Sequence, residues 1–461
     1  MLQRWFELSR RRTTVGGEVR GGLTTFMVMA YIIFVNPAIL SFAGIPPLAG
    51  QGPSFAATQA VTCLVAGVMT IAMGLATNYP LAIASGMGIN AIVAFQLVAA
   101  LKLPWTAAMG VVLLEGLAIT VLVLTGFREA IMHAIPVSLK RAIGVGIGLF
   151  ILFIGLGAAG IVKPGPPGVP VTLGDLTATP VAVALFGLLL TVWLTARRSS
   201  GALLVGILVS TGLAIAVNAV SGGRAFPIPG QAVWPAALVA MPDFSSLGAG
   251  FDFSVFVRLG VITALVTIFS LMLSDFFDTM GTVIGIGGEA GWLTPDGRLP
   301  RLNRVLLVDS LAAVAGGAAG ASSATTYIES AAGVAAGART GLASVVTGAC
   351  FLLALFFAPL AGVVPAQATA PALIVVGYLM SRVVREIPFD DFEEGFPALL
   401  TLTMMAFTYS ITNGIGAGFV SYCFIKLVRG RGREVAPMMY LTALAFVIYF
   451  ALPLIQRRLL G

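Results

Sequence analysis

ASSATTYIESAAGVAAG, residues 321–337, is the stretch of sequence that decides the fold. It is rich in small residues, and the β-prone run Thr325-Thr326-Tyr327 stands directly before Glu329. An ionisable side chain in an apolar segment is costly unless it faces a partner, a cavity or a substrate. An extended stretch before a short helix also leaves backbone N–H and C=O groups free to hold a solute. The segment therefore predicts an interrupted membrane span with a functional carboxylate.

A matching segment lies in the first half of the chain. NYPLAIASGMGINAIVAF, residues 78–95, places Gly86 and Gly88 just before Asn90. Asn90 and Glu329 are separated by roughly half of the 461 residues. Paired interrupted segments in the two halves of a membrane protein are typical of the transport site of inverted-repeat transporters. We expect a polar solute to be held between these two segments.

The composition is that of an integral membrane protein. Hydrophobic residues make up 58% of the chain and charged residues 10%, and the mean hydropathy is +1.01. The 55 glycines and 25 prolines fit close helix packing and interrupted spans. Cys63, Cys350 and Cys423 lie in apolar spans and are interpreted as small hydrophobic residues. We expect no disulfide, no metal site and no cofactor.

Apolar windows divide the chain into two series of seven spans. The first series occupies 22–220, a Gly/Pro-rich connecting loop occupies 221–256, and the second series occupies 257–428. The candidate spans lie near 22–42, 57–77, 80–100, 106–125, 138–157, 180–196 and 201–220, then near 257–286, 304–320, 322–338, 341–361, 366–381, 397–411 and 413–428. An odd number of spans inverts the second half relative to the first.

Basic residues indicate how this bundle is oriented. Arginines and lysines concentrate in segments that lie on one side in this topology, including 1–21 and 429–434. The positive-inside rule then predicts a multi-pass protein of the cell membrane with both ends of the 14-span bundle in the cytoplasm. The net charge of +7 is explained in the same way, so no nucleic acid partner is expected.

The remaining segment, 429–461, combines a basic stretch with an apolar helix. Residues 435–454 are apolar enough to span the membrane but have arginine-rich flanks on both sides. The sequence leaves two interpretations open, an additional span or a helix lying at the membrane interface.

A third segment supplies a pair of acids. In LMLSDFFDTMGT, residues 271–282, Asp275 and Asp278 are three residues apart and so lie on one face of a helix. Two neighbouring carboxyl groups in a low dielectric resist ionising together, so one of them can carry a proton. Asp275, Asp278 and Glu329 are therefore candidates for coupling transport to protons.

Two other acidic features are interpreted as structural. Glu115 lies in the apolar span LLEGLAITVL with no motif around it. The run FDDFEEGF, residues 389–396, follows arginines at the inner surface, which indicates a solvated loop or an inner-surface helix.

Four segments together resemble the AzgA-like adenine/guanine/hypoxanthine permeases. They are RGGLTTFMVMAYIIFVNPAIL (20–40), NYPLAIASGMGINA (78–91), SDFFDTMGT (274–282) and TTYIESAAGVAAGARTG (325–341). The resemblance implies an all-α polytopic fold shared with uracil and xanthine permeases, with two seven-span inverted repeats and short β-strands in interrupted spans 3 and 10. It also implies a core domain of spans 1–4 and 8–11 and a gate domain of spans 5–7 and 12–14.

The resemblance also implies residue roles. Asn90, Asp275 and Glu329 match the purine-binding residues of the family, and Gly88 and Asp278 match neighbours that are important for function. Carboxylates can accept hydrogen bonds from the ring N–H groups of a purine, and an amide can both donate and accept. The expected partners are a purine nucleobase, a proton in preference to sodium, the lipid bilayer, and a second copy in a homodimer.

One position departs from the family pattern. Many relatives have proline where this chain has Ser85, directly before the Gly86-Met87-Gly88 turn. The departure concerns the backbone shape of the first interrupted span.

The sequence leaves three alternatives to purine import. A uracil or xanthine permease would share the fold, and so would an anion transporter of the sulfate-permease type. The anion transporter should present positive potential at its site, whereas this site is lined with acids. An intramembrane enzyme is disfavoured because Asp275 and Asp278 lie on one helix and do not face each other across a scissile bond.

Overall fold

The computed structural model describes residues 2–42, 48–125, 135–199, 201–226, 231–235, 237–294 and 299–460. Helices dominate these ranges, and eleven helices within them are long and apolar enough to cross a membrane. Residues 227–230 and 236 of the predicted connecting loop lie outside the described residues. The prediction of a polytopic helical membrane protein is confirmed.

The first half of the chain contains nine α-helices and one π-helix among the described residues. They are α1 (Leu2–Trp5), α2 (Val15–Met29), α3 (Ile32–Leu40), α4 (Phe55–Thr77), α5 (Met87–Ala91) continued by the π-helix Ile92–Ala100, α6 (Trp105–Thr125), α7 (Val137–Ala158), α8 (Thr179–Ala196) and α9 (Ala202–Val220).

The second half, like the first, has a short strand followed by a short helix between longer helices. Its α-helices are α10 (Val255–Leu259), α11 (Val261–Glu289), α12 (Leu302–Ala319), α13 (Ser330–Ala335), α14 (Gly341–Ala354), α15 (Ala358–Gly362), α16 (Ala366–Ser381), α17 (Phe392–Phe407), α18 (Ile411–Val428) and α19 (Pro437–Leu460). Short 3₁₀ turns occupy Ala249–Phe251, Leu355–Phe357, Arg382–Glu386 and Gly432–Glu434. The strands are β1 (Ile83–Ser85), β2 (Val162–Pro164), β3 (Val171–Leu173) and β4 (Ala324–Thr326).

Contacts between the halves follow an approximate two-fold relation. α4 of the first half packs against α14 of the second, and α6 packs against α12 in the equivalent arrangement. Both contacts bring backbones together at glycines. A Cβ on Gly341 would stand 1.9 Å from the carbonyl oxygen of Gly74, and a Cβ on Gly317 would stand 2.6 Å from the nitrogen of Leu113. Small residues at such crossings are what close packing in lipid requires.

The first span begins earlier than predicted. The sequence suggested a start near residue 22, but α2 begins at Val15, where the Thr14 side chain accepts a hydrogen bond from the N–H of Gly17. Glu18, which looks like a solvent-facing flank in the sequence, is buried and accepts hydrogen bonds from the backbone N–H groups of Arg339 and Thr340 at 2.8 and 3.2 Å. The helix therefore starts earlier than predicted because Glu18 is buried by contacts with a distant part of the chain, which a local hydropathy profile does not show.

β1 and β4 meet at the centre of the molecule and form a two-stranded antiparallel sheet. Their register pairs Ile83 with Thr326 and Ser85 with Ala324, and all residues of both strands are buried. The extended stretches predicted in spans 3 and 10 therefore pair with each other in a single sheet. Each supplies the backbone partners that the other needs inside the membrane.

Ser85 occupies a position of this sheet that tolerates either serine or proline. The ladder hydrogen bonds run from Gly86 N to Ser323 O (2.8 Å) and from Tyr327 N to Ala82 O (2.9 Å). Because hydrogen-bonded and non-bonded pairs alternate along an antiparallel ladder, the N–H of Ser85 points away from β4. A proline there would leave the ladder intact, so the departure at Ser85 does not alter the strand.

The acidic run 389–396 is not uniformly solvated. Glu393 lies in the first turn of α17 and is fully buried, where its carboxylate bonds to Lys426, Arg429 and Arg431 at 2.6, 2.9 and 2.7 Å. The solvated interpretation is wrong for this residue, because the basic segment after α18 folds back over it.

The C-terminal apolar segment forms a single helix, α19. It packs on α18, where the rings of Phe419 and Phe446 lie 5.9 Å apart in an edge-to-face arrangement. The described part of this helix is therefore an element of the bundle.

Candidate functional site

The acid pair predicted from the sequence lies in the middle of α11, beside the central sheet. Asp275 is 1% exposed, and its Oδ2 accepts a hydrogen bond from Ser323 Oγ, just before β4, at 3.0 Å. Asp278 lies one turn further along the same face and is half-buried. It is close enough to Asp275 and Glu329 for their charges to interact. The structure thus brings the three predicted carboxyl groups together.

Glu329 stands at the junction between β4 and α13. Its Oε1 accepts a hydrogen bond of 2.9 Å from the hydroxyl of Tyr31, which lies at the break between α2 and α3. Its own backbone N–H also interacts with the carboxylate, and the side chain is partly exposed. Because a carboxylate has about four lone-pair sites, it keeps acceptor capacity for a ligand.

Asn90 and Gly88 belong to α5, which packs against both α11 and α7. Asn90 is fully buried; its amide nitrogen lies 4.0 Å from Met87 Sδ, and its Oδ1 receives no hydrogen bond in the described structure. Gly88 faces Ile147 of α7 so closely that a Cβ would stand 2.7 Å from Ile147 Cγ2. The first half therefore contributes an unpartnered amide oxygen and a close helix contact.

The charge of the site is entirely acidic in the part of the chain that the structure describes. Ion pairs there lie at other places, namely Arg10 with Glu7, Arg141 with Glu386, and the group around Glu393 and Glu434. None of them involves Asp275, Asp278 or Glu329. Carboxyl groups buried without cations favour neutral hydrogen-bond donors or protons as ligands.

Asp309 is a member of this region that sequence reasoning missed. It lies in α12, is 4% exposed, and accepts hydrogen bonds from Thr326 N (2.8 Å), Thr326 Oγ1 (2.7 Å) and Thr279 Oγ1 (2.7 Å). It anchors the end of β4 to α11. The signal was present in the sequence, since RVLLVDSLAAVAGG places one acid inside an apolar helix.

Glu115, interpreted above as structural, also belongs to this region. It is fully buried in α6, and its carboxyl group lies at hydrogen-bonding distance from that of Asp275. Sequence spacing could not show this contact, because α6 and α11 come from different halves of the chain.

The fold and this site define a class of protein. Helices in two related series, a central pair of broken spans and buried polar groups at their junction are the features of a secondary transporter. The sequence profile described as "Permease family" (Xan_ur_permease) matches residues 16–416. The chain belongs to this family and is a transporter, not an enzyme.

Individual relatives agree along almost the whole chain. The guanine/hypoxanthine permease PbuG of Bacillus subtilis is 40% identical over 463 residues, which cover 97% of this chain and 99% of that protein. The adenine permease AdeQ of Escherichia coli is 39% identical over 449 residues, covering 97% and 95%. The resemblance to adenine/guanine/hypoxanthine permeases is confirmed.

A solved structure shares the fold. The transmembrane domain of the cyanobacterial bicarbonate transporter BicA superposes with a TM-score of 0.60 and covers 87% of this chain and 96% of its own. The two sequences are 16% identical, so the likeness shows the inverted-repeat architecture alone.

Proposed function

We propose that this protein imports the purine nucleobases adenine, guanine or hypoxanthine by proton symport with alternating access. The observation that carries the proposal is the similarity, over 95% or more of both chains, to proteins named guanine/hypoxanthine permease and adenine permease. The chemistry of the acidic site supports the same proposal.

Recognition of the base is assigned to Asn90, Asp275 and Glu329. The Glu329 carboxylate has acceptor capacity beyond its bond from Tyr31, and Asn90 Oδ1 is buried without a described donor. A purine ring N–H or exocyclic amine would satisfy these acceptors, and the amide of Asn90 would orient the base. Buried polar groups left unpaired by a wrong base impose a large penalty, which makes a small site selective. Gly88 keeps α5 close to α7 beside this site.

Proton coupling is assigned to the acids of α11 together with Glu329. Asp275, Asp278 and Glu329 lie close together without a described cation, so a proton relieves their mutual repulsion. A proton is proposed in preference to sodium, because a single proton can be shared between neighbouring carboxyl groups. Movement of the core domain against the gate domain would expose the site to each side in turn.

The orientation and assembly of the protein are part of the proposal. The positive charge of residues 1–21 and 429–434 supports a cytoplasmic location for both segments. A homodimer is proposed through the gate domain, whose α8 presents Leu189 and Trp193 with 71% and 51% exposure. Cysteine labelling from either side of the membrane tests the first statement, and the mass of the purified protein in detergent tests the second.

The deciding experiment is uptake of labelled hypoxanthine in cells that lack their own purine permeases. Expression of this chain should confer uptake that unlabelled adenine or guanine competes for and that uracil, xanthine, sulfate and bicarbonate leave unchanged. Glu329→Ala and Asp275→Ala should abolish uptake, whereas Asp390→Asn, at an exposed acid, should leave it unchanged. Full uptake by the first two variants would contradict the residue roles, and competition by uracil or bicarbonate alone would contradict the substrate.

A further inference from the structure

Glu115 is a buried carboxyl group that has no role in the transport mechanism proposed so far. It lies in the middle of α6 and is fully shielded from solvent. Neither of its oxygens receives a hydrogen bond from a donor in the described structure. An ionised carboxylate held in a protein interior without donors or cations is strongly disfavoured and takes up a proton instead. The environment of Glu115 therefore favours its protonated form.

Close helix packing brings this group against the proposed base-binding residue. Gly116 approaches α12 so closely that a Cβ would stand 2.6 Å from Val314 N. α6 also packs on α11, and the carboxyl groups of Glu115 and Asp275 lie at hydrogen-bonding distance. Asp275 Oδ1 is buried and, like both oxygens of Glu115, has no donor from the described residues. Two carboxyl groups can bond to one another only when one of them carries a proton.

The surrounding groups reinforce this requirement. Asp278 comes from α11, Asp309 from α12 and Glu329 from the start of α13, and the charges of Asp309 and Asp275 act on Glu115. The hydroxyl of Tyr31 donates to Glu329 Oε1, and the hydroxyl of Tyr327 donates to the carbonyl oxygen of Ser85. Within the described ranges, no lysine or arginine contributes to the environment of these acids. A second negative charge on the Glu115–Asp275 pair would be uncompensated.

We propose that Glu115 and Asp275 share the proton that is transported with the base. In the loaded state the Glu115 hydroxyl donates to Asp275, and the pair bears one proton and one negative charge. Asp275 then keeps lone pairs that can accept a hydrogen bond from the ring N–H of the base. The inference rests on the proposed function, which assigns Asp275 to the base.

Release of the proton from this pair links proton binding to binding of the base. Once it leaves to the cytoplasm, two carboxylates face each other and repel, which displaces Asp275 and weakens its bond to the base. The proton and the base therefore stabilise each other's binding by the same factor. The affinity for the base should fall as the pH rises through the range in which the pair loses its proton.

The test uses the purified full-length protein in liposomes. Glu115→Gln keeps the shape and a permanent donor to Asp275 but cannot release a proton. An inward proton gradient should drive accumulation of labelled hypoxanthine in the wild type, and this accumulation should fall by at least about tenfold in Glu115→Gln. The variant should still exchange internal for external base, with an affinity that no longer changes with pH. Asp390→Asn is the matched exposed control.

Several outcomes would overturn the inference. Proton-driven accumulation by Glu115→Gln at the wild-type level and with the wild-type pH dependence contradicts it, and so does accumulation that depends on sodium and not on pH. If Glu115→Gln does not fold, proton uptake on hypoxanthine binding to the wild type in weakly buffered solution decides: about one proton per base supports the shared site, and none contradicts it. Failure of the wild type to transport any purine would instead refute the proposed function, and the inference with it.

Discussion

The hydroxyl of Tyr31 donates a 2.9 Å hydrogen bond to Glu329 Oε1 and joins the two halves of the chain at the site. Tyr31 lies where the first span breaks between α2 and α3, and Glu329 lies where β4 passes into α13. The bond holds the carboxylate in one orientation while further lone pairs stay available for a ligand. Tyr31 is therefore a positioning residue for Glu329.

Removal of the Tyr31 hydroxyl should weaken the binding of the base. In Tyr31→Phe, Glu329 loses a donor, and a hydrogen bond to a charged group is worth about 1.5 kcal/mol, or about tenfold in affinity. The KM for hypoxanthine uptake should rise by that factor. Tyr378→Phe, at a 60% exposed tyrosine, is the control and should change nothing. An unchanged KM in Tyr31→Phe would show that Glu329 is held by its backbone alone.

Gly88→Ala should hinder transport by separating two packed helices. The added Cβ would stand 2.7 Å from Ile147 Cγ2, so α5 and α7 must move apart. The uptake rate should fall severalfold, and Gly88→Ala combined with Ile147→Ala should recover part of it. Gly144→Ala on α7, where a Cβ meets nothing within 4 Å, should be silent. Failure of the double variant to recover would indicate that Gly88 acts through the backbone conformation instead.

Asp309 should stabilise the protein mainly as a hydrogen-bond acceptor. The size of its side chain and its oxygen atoms should matter more than its charge. Asp309→Ala leaves the buried N–H and hydroxyl of Thr326 without an acceptor and should cost about 1–3 kcal/mol of unfolding free energy. Asp309→Asn keeps an oxygen for Thr326 and can donate to Thr279, so it should retain most of the stability. Thermal unfolding in detergent measures both. Equal losses in the two variants would show that the negative charge itself is required.

The buried ion cluster should contribute strongly to stability. Glu393→Gln removes the negative charge that Lys426, only 5% exposed, meets at 2.6 Å, and should lower the melting temperature clearly. The combined variant Glu393→Gln and Lys426→Met should be more stable than the single one.

The control for the ion cluster is an exposed pair. Glu7→Gln removes the partner of Arg10, whose side chain is 78% exposed, and should change the melting temperature little. A small effect of Glu393→Gln, equal to that of Glu7→Gln, would mean that Lys426 finds compensation in Glu394 and Glu434 at 3.8 and 3.6 Å.

Most of the fold could be predicted from hydropathy and spacing. The predicted span 366–381 coincides with α16, and 57–77 differs from α4 by two residues, because long apolar runs in lipid have no alternative to helix. Span 1 was predicted too short because the buried partners of Glu18 lie more than 300 residues away. A charged residue near the start of a helix, such as Glu18, gives the same sequence pattern whether its side chain is solvated or bonded to buried backbone N–H groups.

The site could be predicted in part. Asp275, Asp278 and Glu329 stand out as acids in apolar segments, and the structure brings them together. Glu115 and Asp309 are also acids in apolar helices, but no motif around them indicates a role. Which helix faces which is decided by glycine contacts such as Gly116 against Val314, and no local pattern specifies those pairings.

The sheet between β1 and β4 has a consequence for how the protein is made. β1 ends at residue 85, but its partner β4 begins only at residue 324, so translation at about 5–20 residues per second leaves β1 alone for on the order of ten seconds or more. During that interval the strand cannot be exposed to lipid, where each unpaired backbone group is costly. Until the second half has been inserted, β1 must be shielded from lipid, for example by a membrane insertase.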